Sequence, residues 1–146
     1  MSGQGAYLYG GRWNSPEHRV VYASGNLSLA MLEVLVHIDD AEAFVNKAYV
    51  YHLVEFDEAD VSVLEPSSLP PSWNARPETR VSQGVGDEFL DRVEGVVLAV
   101  PSVVVPTAMR YDPLYMTYLI NPVHPKYAKV ITVGETRPLD WDPRLT

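Results

Sequence analysis

Cysteine is absent from the sequence. That excludes disulfide frameworks, thiolate nucleophiles and thiolate metal sites, and it suits a reducing compartment. Long apolar runs are missing too. The most apolar stretch, Val96 to Val105, is interrupted by Pro101 and Ser102 and falls far short of the roughly 20 residues a membrane span needs. Met1 leads into a polar, glycine-rich stretch rather than a basic patch and an apolar run, so no secretory signal is read. Positive charge is scarce: 11 Lys and Arg face 19 Asp and Glu, for a formal net charge of −8. A field of that sign repels nucleic acid and favours a basic protein partner. It also obliges any anionic small substrate to meet a local cluster of arginines. The expectation is a soluble, cytoplasmic protein without direct nucleic-acid or membrane contact.

Familiar catalytic templates are also lacking. His18, His37, His52 and His124 have no metal-ligand spacing, and there is no HExxH, so no metal is expected. No Walker A loop and no G-x-S-x-G elbow occur. Gly3-Gln4-Gly5 lacks the third glycine and the preceding strand of a dinucleotide fingerprint. A dinucleotide bound here binds outside the Rossmann mode.

What is present reads as one globular domain spanning residues 1–146, with 47% hydrophobic and 21% charged residues and no internal repeat or linker. Twelve prolines and nine glycines cut the chain into short elements. Gly3 to Asn14 reads as loop or hairpin, and Arg19 to Ala23 as a short strand. Asn26 or Ser24 is a plausible N-cap for a helix from Leu27 to Ile38, apolar almost all round and therefore expected to be buried. Ala48 to Phe56 reads as a strand, Pro66 to Pro77 as loop and Thr79 to Arg92 as a helix. Gly95 to Val105 reads as strand, kink, strand with the kink at Pro101-Ser102. A last strand is expected from Lys129 to Val133, with an irregular tail from Pro138 to Leu145. Strands and helices interleave without a βαβ rhythm, so the fold class is α+β.

Four features carry candidate chemistry. Glu33 is the one charged residue between Leu27 and Ile38. Burying a carboxylate costs several kcal/mol, roughly, unless it is paired, so either Glu33 has a functional task or it sits on a thin polar stripe or against a structural arginine. Gly10-Gly11-Arg12-Trp13-Asn14 holds an arginine whose planar fork suits phosphate; the bland alternative is a tight turn anchored by Trp13. Ser102, after Pro101, faces a cleft or caps a backbone group. Asn121-Pro122-Val123-His124-Pro125 is a rigid turn that serves either a loop or a site.

Several blocks together resemble the RES-domain family. They begin with Tyr9-Gly-Gly-Arg-Trp-Asn-Ser-Pro16, Val20-Val-Tyr-Ala-Ser24 and Leu29-Ala-Met-Leu-Glu-Val-Leu-Val-His37. Leu69-Pro-Pro-Ser-Trp73, Gly84-Val-Gly-Asp87, Val100-Pro-Ser-Val-Val-Val-Pro106, Leu119-Ile-Asn-Pro-Val-His-Pro125 and Asp142-Pro-Arg-Leu145 follow in that family's order. The eponymous arginine, glutamate and serine match Arg12, Glu33 and Ser102. The resemblance implies an ADP-ribosyltransferase-like fold, with a split, mostly antiparallel sheet and flanking helices. It implies the toxin of a type II toxin–antitoxin system, degrading NAD+ at the nicotinamide–ribose bond by hydrolysis or phosphorolysis. NAD+ is then the substrate and inorganic phosphate a possible co-substrate, with no separate cofactor. The implied partner is an Xre-like helix-turn-helix antitoxin, and a homodimer is an open alternative to a monomer. Glu33, Arg12 and Ser102 take the catalytic roles; Arg12, Tyr22, Ser102 and Asn121 bind substrate. Competing readings are a mono-ADP-ribosyltransferase acting on a host protein and a non-catalytic antitoxin-binding module. Against the family pattern, an N-terminal strand is expected to be missing ahead of the glycine-rich segment, and the connection from Thr107 to Thr117 looks long.

Overall fold

The computed structural model describes residues 1–38, 44, 47–142 and 144. Its centre is a four-stranded sheet of order β1-β5-β4-β3, built from β1 (Val21–Ser24), β3 (Val61–Val63), β4 (Val97–Pro101) and β5 (Met116–Ile120). Strand β4 is buried at all five positions, as expected of an apolar run covered on both faces. It pairs antiparallel with β5, from Val97 opposite Ile120 to Pro101 opposite Met116, and parallel with β3. Edge strand β1 runs antiparallel to β5, with Val21 opposite Ile120 and Ser24 opposite Thr117. A separate two-stranded sheet joins β2 (Tyr49–Glu55) to β6 (Thr132–Leu139) antiparallel, with a register irregularity between His52 and Val54. The fold is thus α+β with a split, mostly antiparallel sheet.

Two apolar layers flank the central sheet. Trp13, Val20, Trp73, Leu90, Leu98, Val100 and Leu119 form one; Val96, Val97, Ile120 and Ile131 form the other. The alternation Val97/Leu98 along β4 and Leu119/Ile120 along β5 sends successive side chains to opposite faces. Helix α3 (Arg80–Arg92) buries Ser82, Gly86 and Leu90. These lie four residues apart, on one helical stripe. Among the described residues no helix is long and apolar enough to cross a membrane.

Several sequence expectations need correction. Gly3 to Asn14 is not simply loop: Gln4–Tyr9 forms helix α1, and a Gly11–Asn14 bridge closes the turn after it. Helix α2 (Leu27–Leu35) is capped by Asn26, whose side chain accepts from the Leu29 amide, but it stops before Ile38. Leu29 is its one buried residue, whereas Leu27, Leu32 and Val34 are exposed. This helix packs on edge strand β1 and also lines an open cleft, so several of its apolar side chains remain exposed. Gly95 to Val105 contains one strand rather than two, because the chain leaves the sheet at Ser102. Lys129 falls in the short helix α4 (Tyr127–Val130), and β6 starts only at Thr132 and runs through Pro138 and Leu139. The expected irregular tail therefore begins after Leu139, and residues 143, 145 and 146 of it lie outside the described residues. The connection from Thr107 to Thr117 holds two 3-10 turns, Thr107–Met109 and Pro113–Tyr115, before β5 begins at Met116.

Candidate active site

Edge strand β1, helix α2, strand β2 and the loop around Arg12 line an open cleft of about 1360 Å³. Arg12, Tyr22, Glu33 and Ser102 all line it. Three consecutive segments near the N-terminal end and the remote Ser102 therefore converge on one concavity, an arrangement suited to a small-molecule ligand.

The loop bearing Arg12 is held from three sides. Gly10 adopts a left-handed φ of 71°, which lets the chain reverse out of α1. Asn14, fully buried, donates from Nδ2 to the carbonyls of Ala6 and Ser15 at 3.0 Å each. Its Oδ1 accepts from the Tyr22 hydroxyl at 2.7 Å, and that hydroxyl accepts in turn from the Trp13 amide at 3.1 Å. Helix α3 supplies the second support. Gln83 donates to the Gly11 carbonyl at 3.1 Å, and Asp87 receives both the amide (2.9 Å) and the hydroxyl (2.7 Å) of Ser15. Third, Arg12 Nη1 donates to the carbonyls of Trp73 (3.1 Å) and Ala75 (3.0 Å). Trp13 stacks on Trp73 with centroids 5.6 Å apart, which joins the two loops through the core.

Electrostatics follow from this burial. The Arg12 guanidinium is pulled below its ordinary value, first by desolvation and then by nearby Arg76, with Glu78 and Glu33 opposing the shift. Tyr22 is raised well above the usual phenol value, chiefly because its hydroxyl is withdrawn from water. The residue as a whole is 38% exposed, so the buried hydroxyl belongs to a ring that faces the cleft.

The Ser102 hydroxyl, at the end of β4 and only 2% exposed, donates to Glu33 Oε1 at 2.6 Å. It also accepts from the Val104 amide at 3.2 Å, so it both faces the cleft and caps the backbone. A short bond from hydroxyl to carboxylate is of the charge-assisted kind and fixes the carboxylate's orientation. Among the described residues the second oxygen of Glu33 has no hydrogen-bond partner.

Asn121 is placed elsewhere. It follows β5, is fully buried, and its Oδ1 accepts from the Val123 amide at 3.1 Å. It does not line the cleft. His124, in the same turn, bonds the Val93 carbonyl and accepts from the Lys126 amide, so this block closes the end of α3. Sequence reasoning had not singled out Arg76 and Glu78, which line the cleft beside Arg12. Nor had it given a role to Gln83 or Asp87, although Gly84-Val-Gly-Asp87 stood out as a block.

Arg12, Glu33 and Ser102 are thus gathered in one cleft. Residues 1–142 match the family described as RES domain. The chain belongs to the RES-domain family. Its relatives in that family include a Toxin Res of Yersinia enterocolitica, 32% identical over 144 residues, covering 99% of this chain and 89% of the relative. A Prs ADP-ribosylating toxin of a Sphingobium species is 37% identical over 147 residues, covering 99% of this chain and 86% of the relative. Among solved structures, the MbcT–MbcA toxin–antitoxin complex of M. tuberculosis contains a chain that superposes with a TM-score of 0.68 at 20% identity. That match covers 95% of this RES chain and 76% of the other, and shows a shared fold.

Proposed function

We propose that this RES protein, acting as one domain over residues 1–146, is the toxin of a toxin–antitoxin pair and cleaves NAD+ at the nicotinamide–ribose bond. The observation that carries the reading is the Glu33 carboxylate at the cleft surface, fixed by the buried Ser102 hydroxyl at 2.6 Å. In this reaction the electron pair of the breaking C–N bond goes to the nicotinamide ring nitrogen. The pyridinium leaves as a neutral ring, so no general acid is needed. Positive charge develops on the ribose as an oxocarbenium-like centre. A preorganised carboxylate beside that centre stabilises it more than the ground state, which is the condition for catalysis.

Glu33 takes this role and also orients the ribose hydroxyls through its second oxygen. Ser102 positions Glu33. The exposed ring face of Tyr22 offers a stacking surface for nicotinamide, and Arg12 directs the donors it has left towards the phosphates. Asn121 supports the neighbouring turn rather than touching substrate. The acceptor is water, inorganic phosphate or a protein side chain; in each case an acceptor oxygen or nitrogen bonds to the ribose carbon and gives up its proton. The protein-acceptor form is favoured by one specific observation, the likeness to a relative named as ADP-ribosylating. The partner proposed is an Xre-like helix-turn-helix antitoxin in the cytoplasm, its basic surface complementing the net charge of −8.

The test is NAD+ consumption by the purified protein, with and without phosphate, beside Glu33→Gln and Ser102→Ala. Loss of a hydrogen bond to a charged group is worth about 1.5–3 kcal/mol, so Ser102→Ala should lose roughly ten- to a hundredfold in kcat. Glu33→Gln should lose more, with the fold unchanged by circular dichroism. Full consumption by Glu33→Gln would remove the carboxylate from the mechanism. If NAD+ falls only when a target protein is added and label appears on it, the acceptor is protein.

A further inference from the structure

Arg12 alone is poorly equipped to hold an anion, because one arm of its guanidinium is committed. Its Nη1 donates to two backbone carbonyls, those of Trp73 and Ala75. The second carbonyl belongs to the residue directly before Arg76, so Arg76 springs from the same piece of backbone that grips Arg12. Both side chains line the cleft. Among the described residues neither guanidinium has a carboxylate within 4.0 Å, whereas Arg92 is paired with Glu88 and Arg144 with Asp142. The two neighbouring cations share the cleft with Glu33 and Glu78, which act on Arg12 through space without a direct ion pair, so both forks keep donors to offer.

We propose that Arg76 and Arg12 together form a subsite for a phosphate group at the mouth of the cleft. Arg76 is exposed and contributes a whole fork; Arg12 contributes the Nε and Nη2 donors, which have no hydrogen-bond partner among the described residues, where its bonds run from Nη1. Two forks converging on one group suit a diphosphate, whose oxygens accept bidentate bonds from each. Glu78, also at the cleft, works against binding and sets its strength. Arg12 is lowered chiefly by its withdrawal from water, and the nearby charge of Arg76 adds to this against the opposing Glu78; an anion seated between the two arginines offsets both costs. The inference deepens the NAD+ reading and rests on it for the source of the group: the diphosphate of the dinucleotide or the free phosphate that accepts the ribosyl unit.

The experiment is calorimetric binding of ADP-ribose, inorganic pyrophosphate, inorganic phosphate and adenosine to the wild type, Arg76→Ala and Glu78→Gln. Arg76 is solvent-exposed, so its removal should leave the melting temperature unchanged. Arg76→Ala is expected to weaken ADP-ribose and pyrophosphate about tenfold or more, the usual consequence of losing charge-assisted bonds, while leaving adenosine unaffected. Glu78→Gln is expected to tighten both. Weakening confined to inorganic phosphate assigns the subsite to the acceptor; weakening of ADP-ribose assigns it to the dinucleotide. Unchanged binding of all three phosphate compounds in Arg76→Ala, or no binding of any of them by the wild type, overturns the subsite. A wild type that binds ADP-ribose through Arg76 yet leaves NAD+ intact defeats the turnover reading and leaves the subsite standing.

Discussion

Single side chains divide here into those that present chemistry and those that aim them. Glu33 and Ser102 present a carboxylate of defined orientation, joined at 2.6 Å across 69 residues of sequence. Asn14 and Tyr22 do the aiming for Arg12: the Tyr22 hydroxyl takes one hydrogen bond and gives one, both within the loop that bears the arginine. The raised Tyr22 value has a consequence for stability. Below its ordinary pKa of about 10 the phenol is protonated in both folded and unfolded chains, and its contribution is fully present. Above that pH the unfolded chain releases its proton while the folded chain holds on, so stability falls as pH rises. Thermal melts from pH 8 to 11 should therefore show a lower Tm for Tyr22→Phe at pH 8, from the lost bonds, but a shallower decline above pH 10 than wild type. Tyr111 and Tyr118 are raised by burial in the same direction, so the decline persists in part. Parallel curves for the two proteins would mean that Tyr22 ionises no differently from the unfolded phenol.

Among the secondary-structure elements, α3 supports the site from behind the Arg12 loop although it contributes no proposed catalytic group. It packs Gly86 so closely on Trp13 that a methyl group there would collide with the Trp13 carbonyl oxygen. Gly84, one turn-face away, has nothing within 4 Å of an added Cβ. The two glycines look alike in sequence and should respond oppositely. Gly84→Ala should stabilise by up to about 1 kcal/mol, because alanine loses less backbone entropy on forming a helix. Gly86→Ala should destabilise by about 1–3 kcal/mol or more, since the collision is with backbone, and should also raise KM by displacing the Arg12 loop. Urea denaturation of both variants checks the pair. Equal effects would show that α3 can shift freely against the loop. Helix α2 teaches the converse lesson. Its run of apolar residues suggested burial, yet it stands at the open edge of the sheet with Leu29 alone buried.

At the scale of the whole molecule, the two sheets differ in how much each is covered. Strands β4 and β5 are buried almost throughout and paired on both sides. The β2–β6 ribbon is two strands only, largely exposed along β6. Two-stranded ribbons are marginal on their own, and this one is anchored where Val54, Phe56 and Val130 pack against the second core layer. Hydrogen exchange should be fastest in the β2–β6 ladder and slowest in β4 and β5, with the latter approaching global unfolding. Equal protection of both sheets would make them one cooperative unit. Because β2 lines the cleft, a bound ligand should slow exchange there first.

Local signals in the sequence determined a good deal. The Asn26 cap, the helix read over Thr79 to Arg92 and the first of the two strands read in Gly95 to Val105 rest on interactions within a few residues, which are visible in one dimension. The interleaving of such elements carried the α+β class. The ordered RES blocks marked Arg12, Glu33 and Ser102. What the sequence left undecided depends on partners far along the chain. Strand β5 is bounded by the Asn121–Pro125 turn but lacks clean alternation, and becomes a strand because β1 and β4 pair with it on either side. Which face of α2 is wet depends on what the sheet leaves uncovered. Asn121 and Ser102 are both buried polar residues after strands, yet only the chain's path in space sends one to a turn and the other to Glu33. Likewise Arg76 reaches the cleft that Arg12 lines because the Ala75 carbonyl, 63 residues from Arg12, accepts its bond. Burial and long-range pairing are properties of the assembled chain, and so the tertiary structure alone decided them.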